Sequence, residues 1–406
     1  MNTQRTEKRK RAGLALILVL VSFLLPAFVM AGARPTATVP GWMQSNDSGF
    51  GDPANYGIGA LDEFDGQLYA GTWNSVGAAQ LWRTPDGYDW SPITPTWSLS
   101  NTEIYDLVPF TGHLYIGMGG GQGGEIWRTD GITWTRVVSG GFGDGNNYAI
   151  SAMAEFSGSL YAATANLPPP YGSGSGVEVW RSDSGDAGSW VQVNEDGFGG
   201  GPTWTDYAMD VYQGHLYLGL GRIAGEGTGS LAELWRTDGL SWTAELWRTD
   251  GLSWTAVFTD GLGDTGNSHV AAMAEFQGEL YIGLRNANTG GQVWRSGDGL
   301  SWTPVFTDGL GDPARSRPYG LIVHDGRLVV VLNRPGGAEV WQSSDGQTWQ
   351  QIAAGGWGNA NNVMAGYFDK PLALFRGDLY IGTLNLVDGG EIWRRLHVVY
   401  LPLIVR

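Results

Sequence analysis

The sequence contains no cysteine, only five histidines in 406 residues, and 24 Lys plus Arg against 40 Asp plus Glu. Without cysteine there is no disulfide framework and no thiolate metal site, so stability has to come from packing. A formal net charge of −16 excludes the basic surface that nucleic acid or anionic lipid would require. Beyond residue 33 no apolar run is long enough to span a bilayer, and no helix-period segment exceeds two turns. What is abundant is glycine, with 65 residues, and tryptophan, with 20. The first implies many turns and the second a real core, since disordered segments are poor in aromatics.

The one long apolar run stands at the beginning. Arg5, Lys8, Arg9, Lys10 and Arg11 precede LALILVLVSFLLPAFVMA, and Ala31-Gly32-Ala33 comes after it. Basic, apolar and small segments in that order predict a signal peptide over residues 1–33, hence a secreted or surface-attached protein with no membrane insertion after cleavage. An uncleaved anchor is the alternative, which Pro26 disfavours. Cleavage removes five basic residues and Glu7, taking the formal charge from −16 to −20.

The remainder is repetitive. GxLYxG or a close variant recurs around Tyr69, Tyr115, Tyr161, Tyr217, Tyr281, Val329 and Tyr380. After each comes a Gly-rich stretch, then (Q/E)(L/I/V)W(R/Q), a short turn such as TDGLSW, and in most repeats a GFGD-like loop. The apolar stretch before GxLY, LYxG itself, the VWR segment and the segment after the second Trp read as four strands. Asp-Gly between β-prone flanks marks the hairpin joining the last two. Four antiparallel strands per unit, in seven units of about 50 residues, predict an all-β, seven-bladed β-propeller over residues 41–395. Ala152, Ala154, Gly57, Gly59, Ala271 and Ala272 suit its crowded centre. The last unit lacks the Asp-Gly turn and second Trp, whereas WMQSNDSGFGD at 42–52 aligns with WVQVNEDGFGG at 190–200. Residues 42–48 are therefore expected to supply the outer strand of the last blade. The rival for that place is the apolar tail, residues 396–406.

The LYxG and (E/Q)VW order resembles kelch repeats, without their diglycine directly after the second strand. The turn SSDGQTW at 343–349 resembles the Asp-box of the sialidase superfamily, one residue short between Asp and Trp. By that resemblance Asp86, Asp130, Asp298 and Asp345 are turn residues, away from any ligand. A sialidase-like site would need three arginines and a Tyr-Glu pair, for which Glu103 with Tyr56 or Tyr148 is available; the Arg-Ile-Pro signature is absent.

Ligand-binding candidates come from the long loops on one face, including ANLPPPYGSGSG and GRIAGEGTGSLA. Asn74, Asn166, Arg222, Asn286, Arg334 and Asn385 open the loop after the second strand, either as a ring of donors or as turn formers. Arg285 lies toward the same face. Aligning the first strands brings Tyr56, Tyr148, Trp204 and Tyr367 together, with Glu103, His269 and Arg317 close by. Aromatic faces with polar neighbours suit a sugar, and packing between repeats explains them equally well. The expected function is non-catalytic binding of a glycan or protein by a monomer, with a sialidase-like glycoside hydrolase or lyase as the alternative. No cofactor and no metal is expected: the GFGD aspartates and the five histidines all come from different repeats.

Residues 232–255 are AELWRTDGLSWT written twice. A repeat protein tolerates such copying because its stability is nearly a sum of local terms. Twelve residues make a hairpin, which preserves chain direction. The first copy is expected to leave the sheet, exposing Trp235 and Trp242 while Trp247 and Trp254 pack.

Overall fold

The computed structural model describes residues 38–397, apart from 96, 167–173, 175, 200–202, 224–229, 240–253, 287, 314–316 and 365–370. The chain divides into Met1–Ala33 and Arg34–Arg406. The expected signal peptide, and the apolar tail beyond residue 397, lie outside the described residues; every described strand belongs to the second unit. Among the described residues no helix is long and apolar enough to cross a membrane.

Antiparallel strands make up the structure. In the first repeat Asn55–Phe64 pairs with Gln67–Asn74, which pairs with Leu81–Thr84, which pairs with Ser91–Pro92. The same meander recurs along the chain. Three such sets are bridged into a twelve-stranded sheet, and three more are separate four-stranded sheets. A five-stranded sheet holds Leu372–Phe375, Asp378–Gly382 and Ile392–Arg395, completed by Trp42–Gln44 and Thr38–Val39. Residues from the two ends of the chain are thus direct neighbours: Trp42 faces Arg395, Met43 faces Arg394 and Gln44 faces Trp393.

Each recurring motif has a physical task. In (E/Q)xW the side chain two residues before the Trp accepts its indole N–H, as Glu125 does from Trp127 (2.7 Å), Glu178 from Trp180 (2.9 Å) and Glu391 from Trp393 (2.9 Å). A buried Trp needs that partner. The aromatic residue of the GFG loop stacks on the same Trp, with Phe50 on Trp82 and Phe142 on Trp180, both at 4.4 Å. Phe50 and Phe142 hold left-handed backbone (φ 57° and 60°), a conformation that costs a non-glycine residue free energy and that stacking offsets.

The Asp-Gly turns work through their carboxylates. Asp298 Oδ1 accepts from Leu300 N (2.8 Å) and Ser301 N (2.7 Å), and Asp345 Oδ1 from Gln347 N (2.9 Å) and Thr348 N (2.7 Å). These backbone donors, Ser301 and Thr348 first, hold both carboxyls well below their ordinary value of 3.8. A depressed folded value stabilises the fold above the unfolded value, and that contribution is lost as pH falls below it. Melting temperature should therefore drop as pH is lowered past 3.8, and D298N with D345N should flatten that drop. An unchanged slope in a pH series of melting curves would refute the assignment.

The Tyr of LYxG locks neighbouring repeats together. Its hydroxyl lies against the glycine of the next repeat's turn: Tyr115 at Gly185, Tyr217 at Gly299 and Tyr281 at Gly346, each so close that a Cβ on the glycine would stand 2.0–2.1 Å from the oxygen. Tyr380 of the last repeat makes the same contact with Gly87 of the first. One repeat departs: Val329 stands where the others have Tyr.

The duplicated segment corrects the expectation. The first copy forms the regular strand Ser230–Thr237, in register with His215–Ile223 through Trp235 opposite Leu218. Trp235 is half-buried and stacks on Phe198 at 4.6 Å. Gly239 of that copy lies against Tyr161, while Trp254 of the second copy packs beside Trp235 and leads into Thr255–Phe258. The sheet thus takes its strand from the first copy and its second Trp from the other. The extra length falls within 240–253, and with it Trp242 and Trp247, outside the described residues. The strands on either side remain antiparallel.

Candidate functional site

Strand register assigns equivalent positions near the start of each first strand: Gly57 opposite Trp73, Glu103 opposite Gly119, Ala149 opposite Ala165, His269 opposite Arg285, and Arg317 opposite Asn333. Adjacent repeats touch here, through Trp73 with Glu103, Ala149 with Gly119, and Gly57 with Leu384. Two groups of candidate side chains result.

The first group is aromatic and acidic. Tyr56 donates its hydroxyl to Glu103 Oε1 at 3.0 Å, and Tyr105 donates to Glu103 Oε2. Tyr56 and Tyr148 pack against a cluster of Trp73, Tyr105, Ala149 and Ala165. Trp73 donates its indole N–H to Ile104 O at 3.0 Å. Burial, then the Glu103 carboxylate, raises the Tyr56 phenol above its ordinary value, so it stays protonated as a donor. Gly119 makes room for this arrangement, since a Cβ there would lie 2.4 Å from the Tyr105 ring. Trp73 and Tyr105 were not among the sequence candidates. The signal was present: Trp73 stands one residue before a candidate Asn, and Tyr105 two after Glu103.

The second group is basic. His269 is buried, and burial, then Arg285 and Arg317, pushes it down to about 3. It is therefore neutral at any physiological pH. Arg317 Nη1 donates to the Tyr319 hydroxyl at 3.2 Å. Arg285 is half-buried, its Nε is buried without a hydrogen-bond partner, and no carboxylate pairs with it among the described residues.

The asparagine set has a different place. Asn74, Asn166, Asn286 and Asn385 are buried, and each donates to another Asn: to Asn55 (2.9 Å), Asn147 (2.7 Å) and Asn267 (2.9 Å), which begin first strands, and to Asn362 (2.8 Å), which lies ahead of its repeat's first strand. Those partners donate in turn to the carbonyls of Gly49, Gly141, Gly261 and Gly356. The pairs clamp the GFG loops to the strands, and their amides point into that network. Arg334 does the same work differently, donating from Nη2 to Gly309 O at 2.5 Å and pairing with Asp312 and Glu339. Tyr367 and the side chains of Trp204 and Arg222 fall outside the described residues.

The histidines come from different repeats, as the sequence shows, yet His324 and His397 of neighbouring repeats meet at Asp325.

Repeated four-stranded antiparallel meanders, the last completed by a strand from near the other end, place this chain in the β-propeller class. It aligns with the β-propeller domain of the Trilobed protease from Pyrococcus furiosus, described as having open velcro topology, at TM-score 0.50 and 10% identity, covering 87% of this chain and 99% of that one. It aligns with PorZ, a bacterial surface component of the type-IX secretion system of Porphyromonas gingivalis, at TM-score 0.54 and 15% identity, over 83% of this chain and 46% of PorZ. This chain therefore spans under half of PorZ's length. Trypanosoma rangeli sialidase aligns at TM-score 0.43 and 14% identity, over 89% and 59% of the two chains. Identities this low speak to fold alone. No family model and no curated protein matches the chain.

Proposed function

We propose that the chain is a secreted, seven-bladed propeller, closed by residues 42–48, that binds a glycan or protein ligand through its loop face without transforming it. The observation that carries this is Arg285, a half-buried guanidinium with no carboxylate partner among the described residues, beside a neutral His269 and a second arginine. Such a group favours an acidic ligand, a carboxylated glycan first, because charge-assisted hydrogen bonds are the strong ones. Tyr56 and Tyr148, both half-buried, add faces on which sugar C–H groups stack.

The test is a glycan array run with the purified chain beside a panel of fluorogenic glycosides. Saturable binding of acidic glycans without turnover is expected. R285A should weaken it by about 10- to 100-fold, the loss of one or two charged hydrogen bonds. Binding that R285A leaves intact would sink the reading. A second reading, a sialidase-like glycoside hydrolase or lyase, rests on the Tyr56–Glu103 hydrogen bond, since a nucleophile and a base need that contact. Turnover that disappears in E103Q would establish it; the raised Tyr56 phenol argues against it.

A further inference from the structure

The interface between the repeat beginning at Arg317 and the repeat ending at Arg395 lacks the lock found elsewhere. Where other repeats pair a Tyr with an Arg across two strands, as Tyr281 faces Arg295, this one pairs Val329 with Gln342. The next repeat also lacks the Asp-Gly turn on which the Tyr hydroxyl would rest, its chain continuing past Arg395 to Leu396 and His397. The tyrosine and the turn it packs on are absent together. At this interface a different set of side chains meets.

His324 ends its strand, and Asp325 forms the tight turn after it. His397 comes after the strand Ile392–Arg395 of the neighbouring repeat, its backbone N–H held by Asp378 Oδ1 at 2.5 Å. One donor atom from each of His324, Asp325 and His397 lies within 4.8 Å of the others. His397 Nδ1 contacts Asp325 Oδ1, and His324 Nε2 stands 3.7 Å from the same oxygen and 3.0 Å from the Gly377 carbonyl.

We infer that His324, Asp325 and His397 form a zinc site that clasps these two repeats in place of the missing tyrosine lock. Two imidazoles and a carboxylate match a borderline divalent ion and not calcium or magnesium, which prefer all-oxygen shells. Donors about 2.0–2.2 Å from a tetrahedral ion lie about 3.3 Å apart, so small side-chain rotations assemble the site. The His324 Nε2 proton would move to Nδ1 on binding, and the Gly377 carbonyl or a water completes the shell. The charged neighbours are Asp378, which pairs with Arg394 at 2.5 Å, Arg395, whose guanidinium lies over Trp42, and Arg327, opposite His324 in the strand pair.

The purified chain, stripped with EDTA, is titrated with Zn²⁺ by calorimetry and with Co²⁺ by visible absorption. One Zn²⁺ per chain, a tetrahedral Co²⁺ band and a higher melting temperature with zinc are expected. H397A and D325N should each weaken binding by at least about tenfold, while H113A and H215A leave it unchanged. His397 is half-exposed, so H397A should fold normally in EDTA, which circular dichroism checks. Absence of saturable one-site binding, or equal affinity in H397A, would overturn the clasp. Because the site is remote in sequence and register from Arg285, its failure leaves the ligand-binding reading standing, and the reverse also holds.

Discussion

Replacing Trp42 by alanine should lower the free energy of unfolding by about 3–5 kcal/mol, the range for a fully buried large aromatic. Trp42 is 2% exposed. It packs with Val340, Ala353, Met364 and Trp393, meets Trp357 edge-on at 5.5 Å, and donates its indole N–H to Ile352 O at 3.1 Å. Its strand is three residues long, so the ladder to Arg395, Arg394 and Trp393 does not hold the segment without this side chain. Urea titration followed by tryptophan emission measures the change. W42A should also make the segment from 38 to 48 the first site of limited proteolysis. A loss near that of a surface substitution, about 0.5 kcal/mol or less, would mean that this strand does not complete the last sheet.

That outcome bears on how much of the fold is legible in sequence. The expectation for residues 42–48 came from aligning WMQSNDSGFGD with later repeats, and the pairing of Trp42–Gln44 with Ile392–Arg395 matches it because the strand obeys the same local rules wherever it sits in the chain. Strand positions and the Asp-Gly turns were legible for a similar reason, since side-chain alternation and turn chemistry are local. The asparagines were legible in part: the turn-forming alternative holds, since Asn74, Asn286 and Asn385 each accept from the backbone N–H groups two and three residues on. Spacing shows that Asn74 opens a loop, but only register shows that Asn55 stands opposite, so amides that looked free to meet a ligand are held by their own sheet. The duplicated segment failed differently: two identical copies give the ladder no chemical preference, so the sequence alone could not say that Gly239 of the first would lie against Tyr161 and Trp254 of the second would pack with Trp235. His324 and His397 share no motif, and only the fold brings them together.

The tyrosine locks predict a contrast between two glycines. Gly87 has φ +79°, and a Cβ on it would lie 2.0 Å from the Tyr380 hydroxyl and 2.8 Å from its ring. Gly131 has φ +91°, but its nearest neighbours, Arg83 Nη1 and the Tyr69 hydroxyl, stand at 3.7 and 3.8 Å. G131A then carries the left-handed strain alone, about 1–2 kcal/mol. G87A adds the cost of overpacking, about 1–3 kcal/mol, and should be destabilised by about 2–5 kcal/mol in all. Tyr380→Phe removes the oxygen in the way, so the double variant G87A/Y380F should recover part of the difference, and a double-mutant cycle in urea isolates it. Gly87 belongs to the first repeat and Tyr380 to the last, so coupling between them reports directly on whether the first and last sheets are in contact in solution. Additive effects would mean that the two sheets part there.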